Sequence, residues 1–242
     1  VQALGKPGAH PGSPGTVFIQ AQTGLDRHSQ LHVDGADFSM YNTYGSCLYP
    51  VILDEQNTDY VFDEVYLWRQ ACVWISSGSL STQKLAGDLS GLLKILNGHR
   101  VSVADDHLRT NLDARFFTYP AAELYLPSTV YVHGVSDNRG GLFGVQDLYV
   151  RSHLMLHRQG YSICRNESDE LNEIGRYWFT SVTVLDHHNI GVFASAAETL
   201  EYGIKLHVDE LNVNHRGSVY VQGAWSTFAR RVHIEKSAVV DG

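Results

Sequence analysis

Val208-Asp-Glu-Leu-Asn-Val-Asn-His-Arg-Gly-Ser-Val-Tyr-Val221 is the stretch that decides the fold. Leu211 and Val213, then Val219 and Val221, fall at alternate positions on either side of the polar run Asn214-His-Arg-Gly217. Alternation with a period of two marks strands that bury one face. The phrase therefore reads as strand, short turn, strand. It recurs without a gap as Phe62-Asp-Glu-Val-Tyr-Leu-Trp-Arg-Gln-Ala-Cys-Val-Trp-Ile75. Shorter copies begin at Val145 (Val-Gln-Asp-Leu-Tyr-Val) and Ala229 (Ala-Arg-Arg-Val-His-Ile), and another runs from Ala122 to Gly134. A closing phrase, Gly217-Ser-Val-Tyr-Val-Gln-Gly223, has look-alikes at Gly15-Thr-Val-Phe-Ile-Gln-Ala21 and Ser128-Thr-Val-Tyr-Val-His-Gly134.

The unit starting at Val208 is followed by one at Ala229, 21 residues on, and is preceded by one at Val145, 63 residues back. The spacing predicts rungs of about 21 residues, with three of them between Val145 and Val208. A single rung buries too little to fold alone, whereas stacked rungs share ladders and cover one another. The predicted fold is all-β, a right-handed parallel β-helix solenoid. The alternative is an antiparallel β-sandwich, which also shows short alternating strands. Asp34-Gly35 and Asn97-Gly98 are the clear hairpin-type dipeptides, too few for a sandwich.

Residues 1–15 are a Gly/Pro-rich lead-in or linker, and residues 16–242 the β-helix domain, with loop insertions near 76–100 and 161–178. A short helix over Leu85–Leu96 and a helical turn over 194–203 are expected inside that domain. The chain starts at Val1 and stops at Gly242 within a repeat pattern, which reads as a processed chain or a segment of something longer.

The 242 residues carry a formal charge of −8, which disfavours nucleic-acid binding. No apolar run approaches the ~18 residues that span a bilayer. Three cysteines allow one internal disulfide, and Cys47 and Cys72, about one rung apart, are the expected pair, leaving Cys164. Asn166-Glu-Ser168 is a glycosylation sequon in a polar stretch. Together they point to an extracellular or cell-surface location.

The repeat resembles the pectin-lyase-like superfamily of right-handed parallel β-helices. That resemblance covers most of residues 15–242 and rests on pattern rather than on a catalytic motif. It implies either a polysaccharide lyase or hydrolase, or a non-catalytic adhesin or fibre protein. The Gly15-Thr-Val-Phe-Ile19 and Leu31-His-Val-Asp34 phrases are also similar to repeats of very large secreted or cell-surface proteins, including mastigoneme-like proteins of flagellar hairs. Polygalacturonase-like enzymes of the superfamily carry Asn-Thr-Asp, Asp-Asp, Gly-His-Gly and Arg-Ile-Lys in order. Here Asn57-Thr-Asp59 and Asp105-Asp106 exist, but Gly98-His-Arg100 precedes them out of order and Gly203-Ile-Lys205 lacks the Arg. If the chain is an enzyme, Asp59, Asp105 and Asp106 are the acid/base carboxylates.

Asp186-His-His-Asn189 with His207 and Asp209 is the densest metal-type cluster, but adjacent histidines on a strand face opposite ways, so no metal site is assigned. His153 and His157 read as solvent-facing. Asp63-Glu64, Asp147 and Asp209-Glu210 recur at one place in the unit and read as solvated turn acids. Among outward aromatics, Tyr66, Tyr125 and Tyr149 share one position, and Phe18, Trp74, Tyr131 and Tyr220 another, with Trp68 a third. Such rings form a sheet-stabilising ladder, a sugar platform or a chain-to-chain contact. Trp68, Trp74, Tyr149 and Tyr220 are the expected assembly or sugar contacts. The expected function is a structural or adhesive segment of a large extracellular protein that builds a fibre, stalk or appendage. Its partners are copies of itself or adjoining domains, with carbohydrate a further candidate and no cofactor. The alternative is a polysaccharide-active enzyme or carbohydrate-binding module.

Overall fold

The computed structural model describes residues 15–23, 26–35, 50–54, 58–104, 109–163, 174–193, 203–223, 225–235 and 237–241. Among these the protein is all-β, with no helix. The first sheet holds β1 (Gly15–Thr23), β2 (Asp26–Asp34), β4 (Asp59–Trp68), β6 (Ser79–Gly87), β8 (Arg100–Val103), β11 (Glu123–Tyr125), β14 (Gly141–Phe143) and β17 (Tyr161–Ile163). The second holds β3 (Val51–Leu53), β5 (Cys72–Ile75), β7 (Leu92–Ile95), β10 (Arg115–Thr118), β13 (Ser136–Asn138), β16 (His153–His157), β19 (Asn189–Phe193), β21 (Ser218–Gln222) and β23 (Val239–Asp241). The third holds β9 (Arg109–Leu112), β12 (Thr129–Val132), β15 (Asp147–Val150), β18 (Arg176–Val184), β20 (Ile204–Val213) and β22 (Trp225–Ile234). The chain visits the sheets in turn, and each visit pairs in parallel with the one before. Those ladders overturn the antiparallel sandwich. The exception is β1, which runs antiparallel to β2 at one edge.

Register explains the core. In the third sheet Val130, Leu148, Val182 and Leu211 stack in one inward column, and Leu112, Val132, Val150, Val184 and Val213 in the next. All are buried. In the second sheet Val73, Leu93, Phe116, Ser136, Leu154, Ile190 and Val219 form a column. Each buried Val, Leu or Ile contributes roughly 1.5–3 kcal/mol. Where Thr118 and Asn138 enter this core, they satisfy one another. Thr118 Oγ1 donates to Asn138 Oδ1 at 2.8 Å, and Asn138 Nδ2 donates to the Gly140 carbonyl at 2.9 Å. The wholly buried Tyr177 donates its hydroxyl to the His157 carbonyl at 2.7 Å, so no polar group of the network is left dry.

The long strands turn a corner without breaking. The ladder between β4 and β6 skips Asp63 and Gln83. Thr180, Asp209 and Arg230 are skipped likewise along β18, β20 and β22. The 14-residue repeats are genuine strand–turn–strand units, with turns at Arg69-Gln70 and His215-Arg216, and Gln70 and Arg216 take φ of 63° and 55°. At the same turn line Gly35 is obligatory, because a Cβ there would sit 2.2 Å from the Arg69 carbonyl oxygen.

Several expectations change. The 63 residues from Val145 to Val208 hold two rung steps, Asp147 to Ser181 and Ser181 to Glu210, not three. The expected helix over Leu85–Leu96 is the end of β6, a turn and β7, so residues 79–87 and 92–95 belong to regular rungs. The three look-alike closing phrases lie in three different sheets, as β1, β12 and β21. Between β17 and β18 the ladder gives way to a side chain: Ser162 Oγ donates to the Trp178 carbonyl at 3.0 Å and accepts from its N–H at 2.7 Å. The expected loop over 161–178 thus begins with β17 and ends in β18, while residues 164–173, like 194–202, lie outside the described residues.

Candidate functional site

Asp59 stands exposed at the start of β4 and accepts a hydrogen bond from Ser79 Oγ at 2.5 Å. Asp105 and Asp106 lie outside the described residues. Asp59, Ser79, Arg100 and Glu123 follow one another in a single register column lining an open recess of about 510 Å³. Arg100 Nε donates to Glu123 Oε2 at 2.9 Å, and its guanidinium lies 4.8 Å from the Tyr125 ring centre. Three rung steps separate Asp59 from Glu123, or about 14 Å at ~4.8 Å per strand, and the Arg stands between them. Glycosidase carboxyl pairs work at roughly 5–10 Å, so these two carboxylates do not form one.

The metal-type residues disperse. Asp186 and His187 form a turn in which the His187 ring meets His215 edge-on at 6.2 Å. His207 sits elsewhere, on the outward side of β20. Among the described residues no three metal-ligating side chains gather. His157 is not solvent-facing as expected. Its Nε2 lies 3.0 Å from Asp137 Oδ1, and its ring stacks on Phe193 at 5.3 Å. Arg139 donates to both Asp137 oxygens at 3.2 Å. Burial pushes the Asp137 carboxyl upward, but His157 and Arg139 outweigh it and hold the group below the ordinary carboxylate range.

The recurring acids have specific partners in place of free solvation. Asp63 accepts from the Ser29 N–H at 2.5 Å and Ser29 Oγ at 3.0 Å, and the Ser29 backbone bond holds its pKa low. Glu64 meets Gln30, Tyr66 and Lys84. Asp147 accepts from Ser181 Oγ at 2.6 Å. Asp209 pairs with Arg230 at 3.3 Å, and Glu210 with Arg231. Each acid faces the adjacent rung.

The outward aromatics do the same. Tyr131 and Tyr149 are register partners with ring centres 4.5 Å apart and planes within 12°. Tyr125 stacks on Phe143 at 4.4 Å, and Tyr66 on His32 at 4.6 Å. Tyr66, Tyr125 and Tyr149 therefore belong to separate ladders instead of one shared position. Trp74 and Tyr220 do share an outward column of the second sheet, six steps apart. Tyr131 is in the third sheet, and the Phe18 side chain lies outside the described set. Trp74 donates its indole N–H to Cys72 Sγ at 3.1 Å, and Lys94 Nζ lies 4.5 Å from its ring centre. Cys72 is disulfide-bonded; Cys47, Cys164 and Asn166 lie outside the described residues. Trp68 and Tyr220 remain exposed, at 37% and 48%.

One recess was not singled out by the sequence. It is a corner groove of about 850 Å³, bordered by Gln146, Thr180, Asp209 and Arg230 on one side and by Trp178, His207 and Phe228 on the other. Trp178 and His207 stack at 3.8 Å and 10°, and His207 and Phe228 at 4.6 Å and 13°. His207 Nε2 is buried without a hydrogen-bond partner among the described residues. Burial, with Arg176 and Lys205 nearby, holds its pKa below the usual histidine value. Because the rings face one another along the stack, they turn edges, not faces, to the groove. Sugars stack on an open ring face, and Phe228, at one end of the stack, is 55% exposed. The signal was present: His207 and Phe228 are 21 residues apart, the same step as Val208 and Ala229. Compared with known proteins, the chain matches no family model, no curated protein and no solved structure.

Proposed function

We propose that the chain is a right-handed parallel β-helix solenoid of the pectin-lyase-like kind, serving as a structural or adhesive segment of a large extracellular or cell-surface protein. Parallel strands joined through neighbouring sheets are almost always connected in the right-handed sense. The observation that supports the structural role is the lacing of the outer faces. Ion pairs and stacked rings run from rung to rung and spend the polar and aromatic groups on holding the stack, as a fibre or stalk needs. The disulfide at Cys72 agrees with an oxidising compartment. Imaging and sedimentation of native material test this: extended rods or polymers are expected, and a discrete compact 27 kDa particle overturns it.

The corner groove favours a second reading, a carbohydrate-binding or polysaccharide-active module that places a sugar against Phe228 with Asp209 and Arg230 beside it. Calorimetric titration with acidic and neutral oligosaccharides, and an assay for new reducing ends, decide between the two.

A further inference from the structure

The chain passes from the third sheet to the second at one corner, and histidines gather there. Leu112, Val132, Val150, Val184 and Val213 are register partners, so the residues after them follow rung on rung. These are Asp113, His133, Arg151, Leu185-Asp-His-His188 and Asn214-His-Arg216. His133 Nδ1 lies 3.3 Å from Asp113 Oδ1, and its Nε2 is buried with no hydrogen-bond partner among the described residues. Arg151 stands on the next rung, its guanidinium 5.3 Å from the Tyr131 ring centre. His187 and Arg216 take φ of 64° and 55°, a left-handed conformation that strains a residue with a Cβ. The turn holding His187 is lightly tied: its N–H reaches the His215 carbonyl at 3.3 Å, longer than most such bonds. Charge here is near balance only while the imidazoles are neutral. Arg151 and Arg216 then face Asp113, Asp186 and Glu235, and Glu235 accepts the His215 N–H at 2.8 Å. Asp88, below Asp113, is taken up by the N–H groups of Arg69 and Ser90. Full protonation of His133, His153, His187, His188 and His215 adds five positive charges to those two guanidiniums and three carboxylates.

We propose that this corner is an acid-sensed latch: closed in neutral solution, it springs in mild acid as the protonated rings repel one another and Arg151, freeing the turn Leu185-Asp-His-His188. Burial, then Arg151 and His188, hold His133 below the usual histidine pKa against the pull of Asp113. Burial, then His187 and Arg151, do the same to His188 against Asp186. A ring held low in the closed form takes its proton more readily in the open one, so falling pH favours opening. The opening stays local because Val184 and Ile190, on either side of the turn, are buried and paired to the rungs above and below. This face of the stack thus responds to acid while the rod keeps its length. The latch needs only the stacked rungs and stands whether or not the chain belongs to a fibre.

Amide exchange on the full chain, followed by mass spectrometry at about pH 7.5 and 5.5 and corrected for the intrinsic rate, tests this. Protection over residues 185–189 and 214–217 should fall at least about tenfold in acid, and that of β15 and β16 by less than about twofold. About 0.5 M sodium chloride should restore part of the loss, because salt screens exposed like charges. His187→Gln with His188→Gln should hold the loss below about threefold. Gln is tolerated at such a turn, since Gln70 takes φ of 63° on the same line. Arg151→Gln, which removes the fixed cation, should also shrink the loss, whereas His28→Gln, on the first sheet, should leave it intact. Unchanged protection of the turn in acid, an equal loss in the double variant, or a loss spread evenly over the core strands overturns the proposal. Millimolar sulfate that raises protection at the acid pH above its neutral value also overturns it, by making the corner an anion site.

Discussion

Replacing Val213 by Asp tests the register on which everything else depends. Val213 is fully buried, stacked between Val184 and Ile234. Losing the burial of its side chain costs about 1.5–2.5 kcal/mol. A carboxyl in that column has no partner, so burial raises its pKa; a rise of about three units costs about 4 kcal/mol at pH 7. The sum, about 6 kcal/mol, rivals the whole stability of many domains. The ceiling is the free energy of peeling away the rungs above, so amide exchange in β22 should rise before the rest of the molecule responds. Val150→Asp, deep in the same column, has no such escape and should cost more. The raised pKa also fixes the pH dependence. The carboxyl penalty is absent below about pH 4 and grows by about 1.4 kcal/mol per unit as pH rises toward the folded-state value. Asn212 points outward between Thr183 and His233, so Asn212→Asp should stay within about 0.5 kcal/mol. Urea unfolding with exchange mass spectrometry reads all three. Equal losses at Val213 and Asn212 would refute the inward and outward assignment.

Tyr177→Phe removes the donor to the His157 carbonyl without opening a cavity, and should lower stability by about 1–3 kcal/mol in thermal denaturation. Burial holds His133, His153, His188 and His207 below the ordinary histidine pKa, so the unfolded chain takes up more protons below about pH 6.5. The urea midpoint should therefore fall as pH drops from 7.5 toward 5.5, and His207→Phe, which keeps a ring in the stack, should flatten that slope. Peptide mapping without reduction should join Cys72 to Cys47 and leave Cys164 alkylatable; a Cys72–Cys164 peptide would reverse the expectation. Native material should carry a glycan on Asn166, and an unmodified peptide would count against the extracellular location.

The sequence disclosed which side chains face inward, because alternation such as Leu211, Val213, Val219 and Val221 is a local property of extended backbone. It did not disclose which strands are neighbours. Asp147 meets Ser181 and Ser181 meets Glu210 because chain is inserted between rungs, and no local pattern records how much. The partners within the aromatic ladders were not legible for the same reason. Tyr125 and Tyr149 occupy one position in the repeat but different sheets, so each stacks with a ring the repeat does not pair with it, Phe143 and Tyr131. The stack of Trp178, His207 and Phe228 joins residues far apart in the chain. Only its last step, His207 to Phe228, coincides with the visible period of 21. The acids were recognised as a recurring feature, but their partners Ser29, Ser181, Arg230 and Arg231 come from adjoining rungs.

Ser162, whose single hydroxyl bridges β17 to both backbone groups of Trp178, uncouples chain length from rung height. From Leu154 to Ile190 the chain spends 36 residues on one step, against 18 from Ser136 to Leu154, and both steps keep the same column. The axis therefore advances by one strand spacing whatever the length of chain spent on the step. For a lineage carrying such a stack, the rod and its ornaments are separately heritable. Loops can lengthen, change composition or acquire new surfaces with no register to renegotiate. The rungs beneath stay under packing constraint alone.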